Sequence, residues 1–118
     1  MQVETRLGEQ LARYLDFSVN EAKLTASNMA NIDTPGYRTQ GFDFEAAMGE
    51  ALAGIGKREP ARPTVYEVDG LISRPDGNNV SMDRESLQLA EAQLKFRTGV
   101  ALLRLENQRV MDAIHADR

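Results

Sequence analysis

The chain has 118 residues, a length typical of one domain, and its net charge of -4 argues against a DNA- or RNA-binding surface, which needs a concentrated basic face. It contains no cysteine, so disulfides, thiolate metal sites and a cysteine nucleophile are excluded. Aromatic residues make up 6% of the chain and tryptophan is absent, which predicts an aliphatic core.

The first predicted element is a long helix from Val3 to about Met29. Apolar residues recur along it in steps of four and three, which is the helical period. A second stripe lies about 200° around the helix axis, so the helix is apolar on two sides. The first stripe is Val3, Leu7, Leu11, Leu15, Val19, Ala22, Ala26 and Met29, and the second is Tyr14, Phe17, Glu21, Leu24, Asn28 and Asn31.

The segment Thr34–Tyr37 ends this helix. Pro35 followed by Gly36 suits the two central positions of a type II turn, in which the second residue has positive φ. A short helix is predicted next. Asp43 is its expected N-cap and Gly54 its expected end.

Residues 54–79 change character, because glycine, proline and charged residues dominate them. Within this segment, Thr64–Val68 alternates like a strand. The pair Asp69-Gly70 is a two-residue hairpin signal that precedes Leu71-Ile72. One hairpin alone is marginal in water, so we expect a small β excursion or a mobile loop here.

A second long helix is predicted after Asp83, its expected N-cap. One seam follows a coiled-coil pattern for almost four heptads, and a second stripe lies about 200° away. Gly99 costs about 1 kcal/mol relative to Ala, which close approach of another helix would offset. The seam is Leu89, Gln93, Phe96, Val100, Leu103, Asn107, Val110 and Ile114, and the second stripe is Leu87, Ala90, Leu94, Ala101 and Leu105.

The predicted fold is therefore mainly α. Long N- and C-terminal helices pack as a coiled-coil-like pair or bundle around a short irregular or β-hairpin middle segment. We divide the chain into residues 1–40, the first helix and its turn; residues 41–79, the short helix and the insertion; and residues 80–118, the last helix. The first and third segments are expected to form one helical core domain.

The polar clusters do not have the arrangement of an active site, so we expect no catalytic residue, cofactor or metal ion. His115, the sole histidine, is interpreted as a cation at a helix C-terminus. The segment Asp76–Asn79 has calcium-type residues but lacks the order of an EF-hand loop, and it is interpreted as a turn. The sequence also has neither an ordinary secretory signal nor an apolar run of the roughly 18 residues that span a bilayer.

Asn28 and Asn31 lie three residues apart near the end of the first helix, and two interpretations of them remain open. They are either solvated helix-end amides, or amides that hydrogen-bond across a helix interface or to the Pro-Gly turn and fix its register. Their spacing alone does not distinguish the two.

The apolar stripes also have two interpretations. An antiparallel helix pair with a monomeric core is one. Against it, two helices and a hairpin cannot cover four stripes, and contiguous exposed apolar surface usually marks an interaction site. We therefore predict an assembly interface, with candidate residues Leu11, Leu15, Ala22, Leu24, Leu89, Leu94, Phe96, Val100, Leu103, Val110 and Ile114.

The pattern Asn28-x-x-Asn31-x-x-Thr34-Pro35-Gly36-Tyr37 after a long helix closely resembles the motif of the bacterial flagellar axial proteins, the rod, hook and hook-associated subunits. Within that family the chain looks most like the proximal rod proteins. Gly41–Met48, Asn79–Glu91 and the very short middle carry this likeness. The resemblance covers roughly residues 1–50 and 78–118.

The resemblance implies a structural subunit of the proximal rod of the basal body and not an enzyme. Such subunits leave the cell unfolded through the flagellar type III export apparatus, without a cleaved signal. They assemble through their terminal helices into a torque-transmitting helical tube in the periplasm. Implied partners are copies of the chain, other rod subunits, the membrane-embedded ring, an adaptor rod protein and the export gate, with no nucleic acid.

Two hypotheses from other classes stay open. One is a small soluble helical adaptor or chaperone that binds a partner helix in its groove. The other is an enzyme, whose activity would depend on His115.

Overall fold

The computed structural model of the protein describes residues 5–54 and 64–116. Two long helices form an elongated molecule with extents of 69 × 26 × 20 Å, which confirms the predicted mainly helical fold. The start of the predicted first helix at Val3 and residues 55–63 of the predicted irregular segment lie outside the described residues. The elements are α1 (Arg6–Ala30), β1 (Gln40–Phe42), α2 (Phe44–Ala53), β2 (Val65–Glu67) and α3 (Met82–His115).

The helices α1 and α3 pack side by side and run in opposite directions. At one end Asn28 contacts Glu85, and at the other Thr5 contacts Glu106. With 25 and 34 residues, the two helices are about 37 and 51 Å long. None of the helices in the described ranges combines the length and apolar character needed to cross a membrane.

The helix start predicted at Asp83 is wrong by two residues. The N-cap of α3 is Ser81, which has extended backbone angles and whose hydroxyl accepts a hydrogen bond from the Arg84 N–H at 3.3 Å. Asp83 instead lies in the first turn of the helix, where its carboxylate faces the positive end of the helix dipole.

The side of α3 that packs on α1 lies between the two apolar stripes predicted from the sequence. Its buried residues are spaced seven apart and are small or acidic: Glu85, Ala92, Gly99 and Glu106. A Cβ on Gly99 would lie 2.7 Å from Leu15 Cδ2, which confirms the expected close approach at this glycine. Small and acidic residues, and not the predicted apolar stripes, therefore form the contact with α1. Both stripes of α3 lie beside this contact.

The short helix α2 has the predicted caps. Asp43 Oδ1 accepts a hydrogen bond from the Ala46 N–H at 3.0 Å, and Gly54 ends the helix.

The main apolar cluster lies where α2 packs on α1, around the buried Phe17. The buried apolar residues of the described part of the chain are aliphatic apart from Phe17, as predicted, but the sequence did not predict that aromatic rings would gather around it. Each large ring buries much area, so a small number suffices. The ring centroids of Tyr14 and Phe44 lie 5.2 Å apart, edge to face. The remaining members of the cluster are Phe42, Ala47, Met48 and Ala51.

The predicted β excursion at Thr64–Val68 is confirmed as β2, but its expected partner is wrong. The strand pairs with β1 in an antiparallel two-stranded sheet, with Gly41 opposite Tyr66, and not with Leu71-Ile72 through the Asp69-Gly70 turn. The Tyr66 ring covers Gly41 so closely that a Cβ there would lie 2.8 Å from Cζ. A side chain at position 41 would therefore clash with the Tyr66 ring.

Candidate functional site

Two stretches that are far apart in the sequence meet at the C-terminal end of α1. One runs from the end of α1 through its turn to Gln40, and the other is the loop before α3 together with the first turn of that helix. Side-chain hydrogen bonds join the two stretches, and we call this cluster the motif junction. Its members are Asn28, Tyr37, Asn78, Asn79 and Glu85, which act through their side chains, and Gln40, which acts through its backbone.

Asn28 lies at the centre of the motif junction and is buried. Its amide nitrogen donates to the Gln40 carbonyl at 2.8 Å and to Glu85 Oε2 at 3.0 Å. Its amide oxygen accepts from the Tyr37 hydroxyl at 2.8 Å and from the Gln40 N–H at 3.1 Å. Two donors and two acceptor sites are all that an asparagine side chain has. Of the two interpretations left open, register fixing therefore describes Asn28.

Asn31 is half-buried and acts locally. Its amide donates to the Ser27 carbonyl at 2.8 Å, and its oxygen accepts from the Thr34 hydroxyl at 3.0 Å. The Tyr37 N–H then closes the turn on the Thr34 carbonyl at 3.2 Å. Gly36 has φ +75°, as the predicted type II turn requires. The turn thus directs Tyr37 back toward Asn28.

Glu85 is a central residue that the sequence analysis missed. It was assigned only to the start of the last helix, yet it is 1% exposed. Its carboxylate accepts from Asn28 and, at 2.6 Å, from the Arg84 guanidinium. An unpaired buried carboxylate would be strongly destabilising, so these two donors allow the packing. The burial of Glu85 left no apolar signal in the sequence, because an acidic residue in a first helical turn is ordinarily explained by the helix dipole.

The loop before α3 closes the junction from the other side. The fully buried Asn78 donates to the carbonyls of Asn31 and Thr34, both at 2.9 Å, and so satisfies acceptors at the end of α1. Asn79 Oδ1 accepts from the Thr39 N–H at 2.6 Å. The segment read as a turn from the sequence is therefore also a cap for a distant helix. No group of three or more His, Cys, Asp or Glu side chains able to hold a metal ion occurs among the described residues.

Charged pairs continue along the contact between α1 and α3. Near its middle, Lys95 donates to the buried Glu21 at 3.0 Å and lies 4.0 Å from the centre of the Phe44 ring. At the far end, the buried Glu106 accepts from Arg109 at 3.0 Å and from the Thr5 hydroxyl at 2.7 Å. The Arg109 guanidinium, helped by Thr5, lowers the pKa of Glu106 below its ordinary value. The two helices are thus aligned by polar pairs.

One flank of the helix pair is open. Between α1 and α3 lies a groove of about 550 Å³, which we call the flank groove. The methyl groups of Ala22, Ala26 and Ala92 line it together with Leu89 and Phe96. Lys23 and Arg97 also border it.

A second apolar surface lies on α3 at about 200° from the flank groove. Leu87, Leu94 and Leu105 are 59%, 66% and 66% exposed, and we call this line the outer ridge. The helix pair therefore carries apolar surface on two of its sides.

The structure places the candidate interface residues in different surroundings. Ala22, Leu89 and Phe96 line the flank groove, and Leu94 lies on the outer ridge. Leu11 is buried within the subunit. The half-buried candidates are Leu15, Leu24, Val100, Leu103 and Val110, whereas Ile114 is exposed. His115 lies exposed in the last turn of α3.

No protein-family profile matches the chain. Curated proteins do match it. The flagellar basal body rod protein FlgB of Yersinia enterocolitica is 30% identical over 108 residues, which cover 75% of this chain and 79% of that protein. FlgB of Cereibacter sphaeroides is 30% identical over 106 residues, covering 80% and 82%. FlgB of Salmonella typhimurium is 28% identical over 121 residues, covering 85% and 86%. With such identity over most of both chains, the protein belongs to the FlgB family of flagellar basal body rod proteins.

Proposed function

We propose that this protein is a structural subunit of the proximal rod of the bacterial flagellar basal body. Its terminal helices self-assemble into a helical tube that transmits torque. Membership of the FlgB family supports the rod. The observation that carries self-assembly is the apolar surface that the helix pair exposes on two sides.

This exposed surface extends along most of α3. Large apolar side chains that are 42% to 66% exposed recur from its second turn to its last: Leu87, Leu94, Phe96, Leu102, Leu105, Met111 and Ile114. Fully burying such a side chain is worth about 1.5–3 kcal/mol, so each retains on the order of 1 kcal/mol that neighbours can supply. Summed over the helix, this favours packing against other chains.

The residues that α3 buries against α1 are small or acidic, which supports the same conclusion. The buried residues that α3 places there are Glu85, Ala92, Gly99 and Glu106. Small and paired polar side chains fix alignment but contribute little hydrophobic stabilisation. We propose that residues 1–40 and 80–118 form one rod-core domain, completed by its neighbours.

The motif junction provides a mechanical reason for the family motif. Asn28 and Glu85 hold the end of α1 against the start of α3, while Asn78 holds the turn. A twisting load applied to one long helix then passes to the other without slip. Head-to-tail contacts between identical subunits generate rings or open helical arrays rather than closed dimers, and a torque-bearing rod needs such an array.

Export and location follow from the same proposal. The subunit leaves the cell unfolded through the flagellar type III apparatus, without a cleaved signal, and assembles in the periplasm. The absence of cysteine keeps the unfolded chain free of disulfide crosslinks. Proposed partners are copies of itself, other rod subunits, the membrane-embedded ring, the adaptor rod protein and the export gate.

The flank groove also favours a second candidate, a small adaptor or chaperone that binds a partner helix. Its open apolar walls, Leu89 and Phe96, would suit such a ligand. Under this alternative the groove is filled by a different protein and the chain stays outside the rod.

The deciding experiment replaces the native copy in the bacterium that encodes this chain. The deletion strain, complemented with the wild-type chain, is expected to swim, and purified basal bodies are expected to show the chain as density in the rod. Swimming cells whose basal bodies lack the chain, with the protein recovered in a cytoplasmic complex, would instead establish the adaptor.

A further inference from the structure

We propose that the flank groove of one subunit receives the outer ridge of a second copy of this chain. Successive subunits then join through one repeated contact between two different surfaces. This inference rests on the proposed self-assembly and names the two surfaces that carry it.

The groove and the ridge match in shape and repeat. Alanines along the groove leave room for a helix to approach closely, and Leu89 and Phe96 along it lie seven residues apart. Leu87 and Leu94 on the ridge are also seven residues apart. Seven residues span about 10.5 Å along a helix, so both surfaces present apolar side chains at the same interval. The ridge can therefore lie along the groove with its leucines in register.

Charges of opposite sign border the two surfaces. Lys23 borders the groove, whereas Asp83 and Glu91 lie four residues on either side of Leu87 on the ridge. All three side chains are exposed, and in residues 5–54 and 64–116 none of them forms an ion pair within the subunit. Arg97 borders the groove and also follows Leu94 by three residues, so it lies beside both surfaces. Docking the ridge in the groove brings Lys23 to anions, whereas docking groove against groove would bring Lys23 against its own copy.

The geometry also leaves the contact open-ended. Leu94 on the ridge and Phe96 in the groove are separated by about 200° around α3. A subunit whose ridge is docked therefore still presents its own groove to another copy. Contacts of this kind extend a row of subunits and do not close into a dimer.

Disulfide trapping tests the contact directly, because the natural chain contains no cysteine. The full chain with Ala22→Cys and Leu94→Cys is allowed to assemble in cells that lack the native copy and is then oxidised. We expect a ladder of dimers, trimers and longer species on a non-reducing gel. The control chain pairs Ala22→Cys with Ile72→Cys, a loop position that is 91% exposed, and is expected to give no ladder.

Three results would overturn the inference. The first is an equal ladder from the control, which indicates random collision. The second is dimers from Ala22→Cys alone, which indicates that groove meets groove. The third is no ladder from the test pair in cells that swim. If the wild-type chain itself fails to restore swimming, the proposed function has failed, which is a separate outcome.

Charge reversal provides a second readout. Lys23→Glu and Glu91→Lys are each expected to reduce swimming, because each places like charges across the contact. The double variant is expected to recover much of the loss. Two single variants that swim like the wild type would contradict the charge pairing.

Discussion

Replacement of Asn28 by alanine is the sharpest perturbation of the motif junction. The change removes four hydrogen bonds, to Tyr37, to Glu85 and to both backbone groups of Gln40. A buried hydrogen bond contributes about 1 kcal/mol net, and an orphaned buried partner costs about 1–3 kcal/mol. Because Glu85 would keep only Arg84 as a donor, we expect a loss of about 3–5 kcal/mol at the junction.

Native-state hydrogen exchange measures this loss locally, without requiring the whole chain to melt as one unit. The Gln40 amide, whose acceptor is Asn28 Oδ1, is the reporter. Since each 1.4 kcal/mol is tenfold, exchange of this amide should accelerate by roughly 10²- to 4 × 10³-fold in Asn28→Ala. The matched control is Asn31→Ala, which removes only local bonds of a half-buried side chain and should stay within about tenfold.

A companion variant separates hydrogen bonding from packing. Asn28→Asp keeps the shape of the side chain but places a second carboxylate 3.0 Å from Glu85 Oε2, where the Asn28 amide nitrogen now lies, so it should be at least as damaging as alanine. Adding Glu85→Gln removes one charge and supplies an amide donor, and protection should partly return. Asn28→Ala and Asn31→Ala with equal effects, or no recovery in the double variant, would refute the role assigned to Asn28.

The remaining predictions concern the assembly interface, the Pro-Gly turn and the end of the helix contact at Glu106. Phe96→Asp should stop swimming while sparing export, because it puts an unpaired charge in a desolvated contact. The control Phe96→Leu should swim. A swimming Phe96→Asp strain would contradict the proposed interface. Gly36→Val should cost about 1–2 kcal/mol at φ +75° and misdirect Tyr37, and normal rods in that strain would tell against the turn. Because the pKa of Glu106 is lowered in the fold, its stabilisation is complete above about pH 4.5 and is lost as the pH falls toward the folded value. Exchange at the start of α1 should show this acid loss, and Glu106→Gln should abolish the pH response.

Local signals in the sequence predicted much of the fold. Helical periodicity located both long helices, and Asp43 with Gly54 bounded α2 correctly. The error at Asp83 arose because Ser81, two residues earlier, reaches the same first turn with its hydroxyl. A capping side chain reaches only the first turn of its helix, so an error in the predicted helix start stays within a few residues.

The helix contact itself could not be predicted from apolar periodicity. Glu85, Ala92, Gly99 and Glu106 form the contact, but small and acidic residues do not register as an apolar stripe. Only Gly99 carried a signal, through its cost in a helix interior. The partner of β2 was missed for a related reason, since no apolar pattern marks Gly41 as the residue opposite Tyr66.

The candidate site, like the fold, was predicted only in part. The family motif led to Asn28 and the turn, because these residues are close in sequence. Glu85 and Asn78 were missed as junction members, since they lie 57 and 47 residues from their bonding partners. Contacts over such separations depend on the completed fold.

The most direct test of the central claim compares solvent access in the free subunit and in the rod. Leu94→Cys and Phe96→Cys, each alone in the full chain, are treated with a water-soluble thiol reagent, both as the purified subunit and in purified basal bodies. We expect rapid labelling of both cysteines in the free subunit and strong protection of both in the rod. Labelling that is equally fast in the rod would contradict the claim that neighbouring chains cover these faces. Protection already present in the lone subunit would contradict it as well.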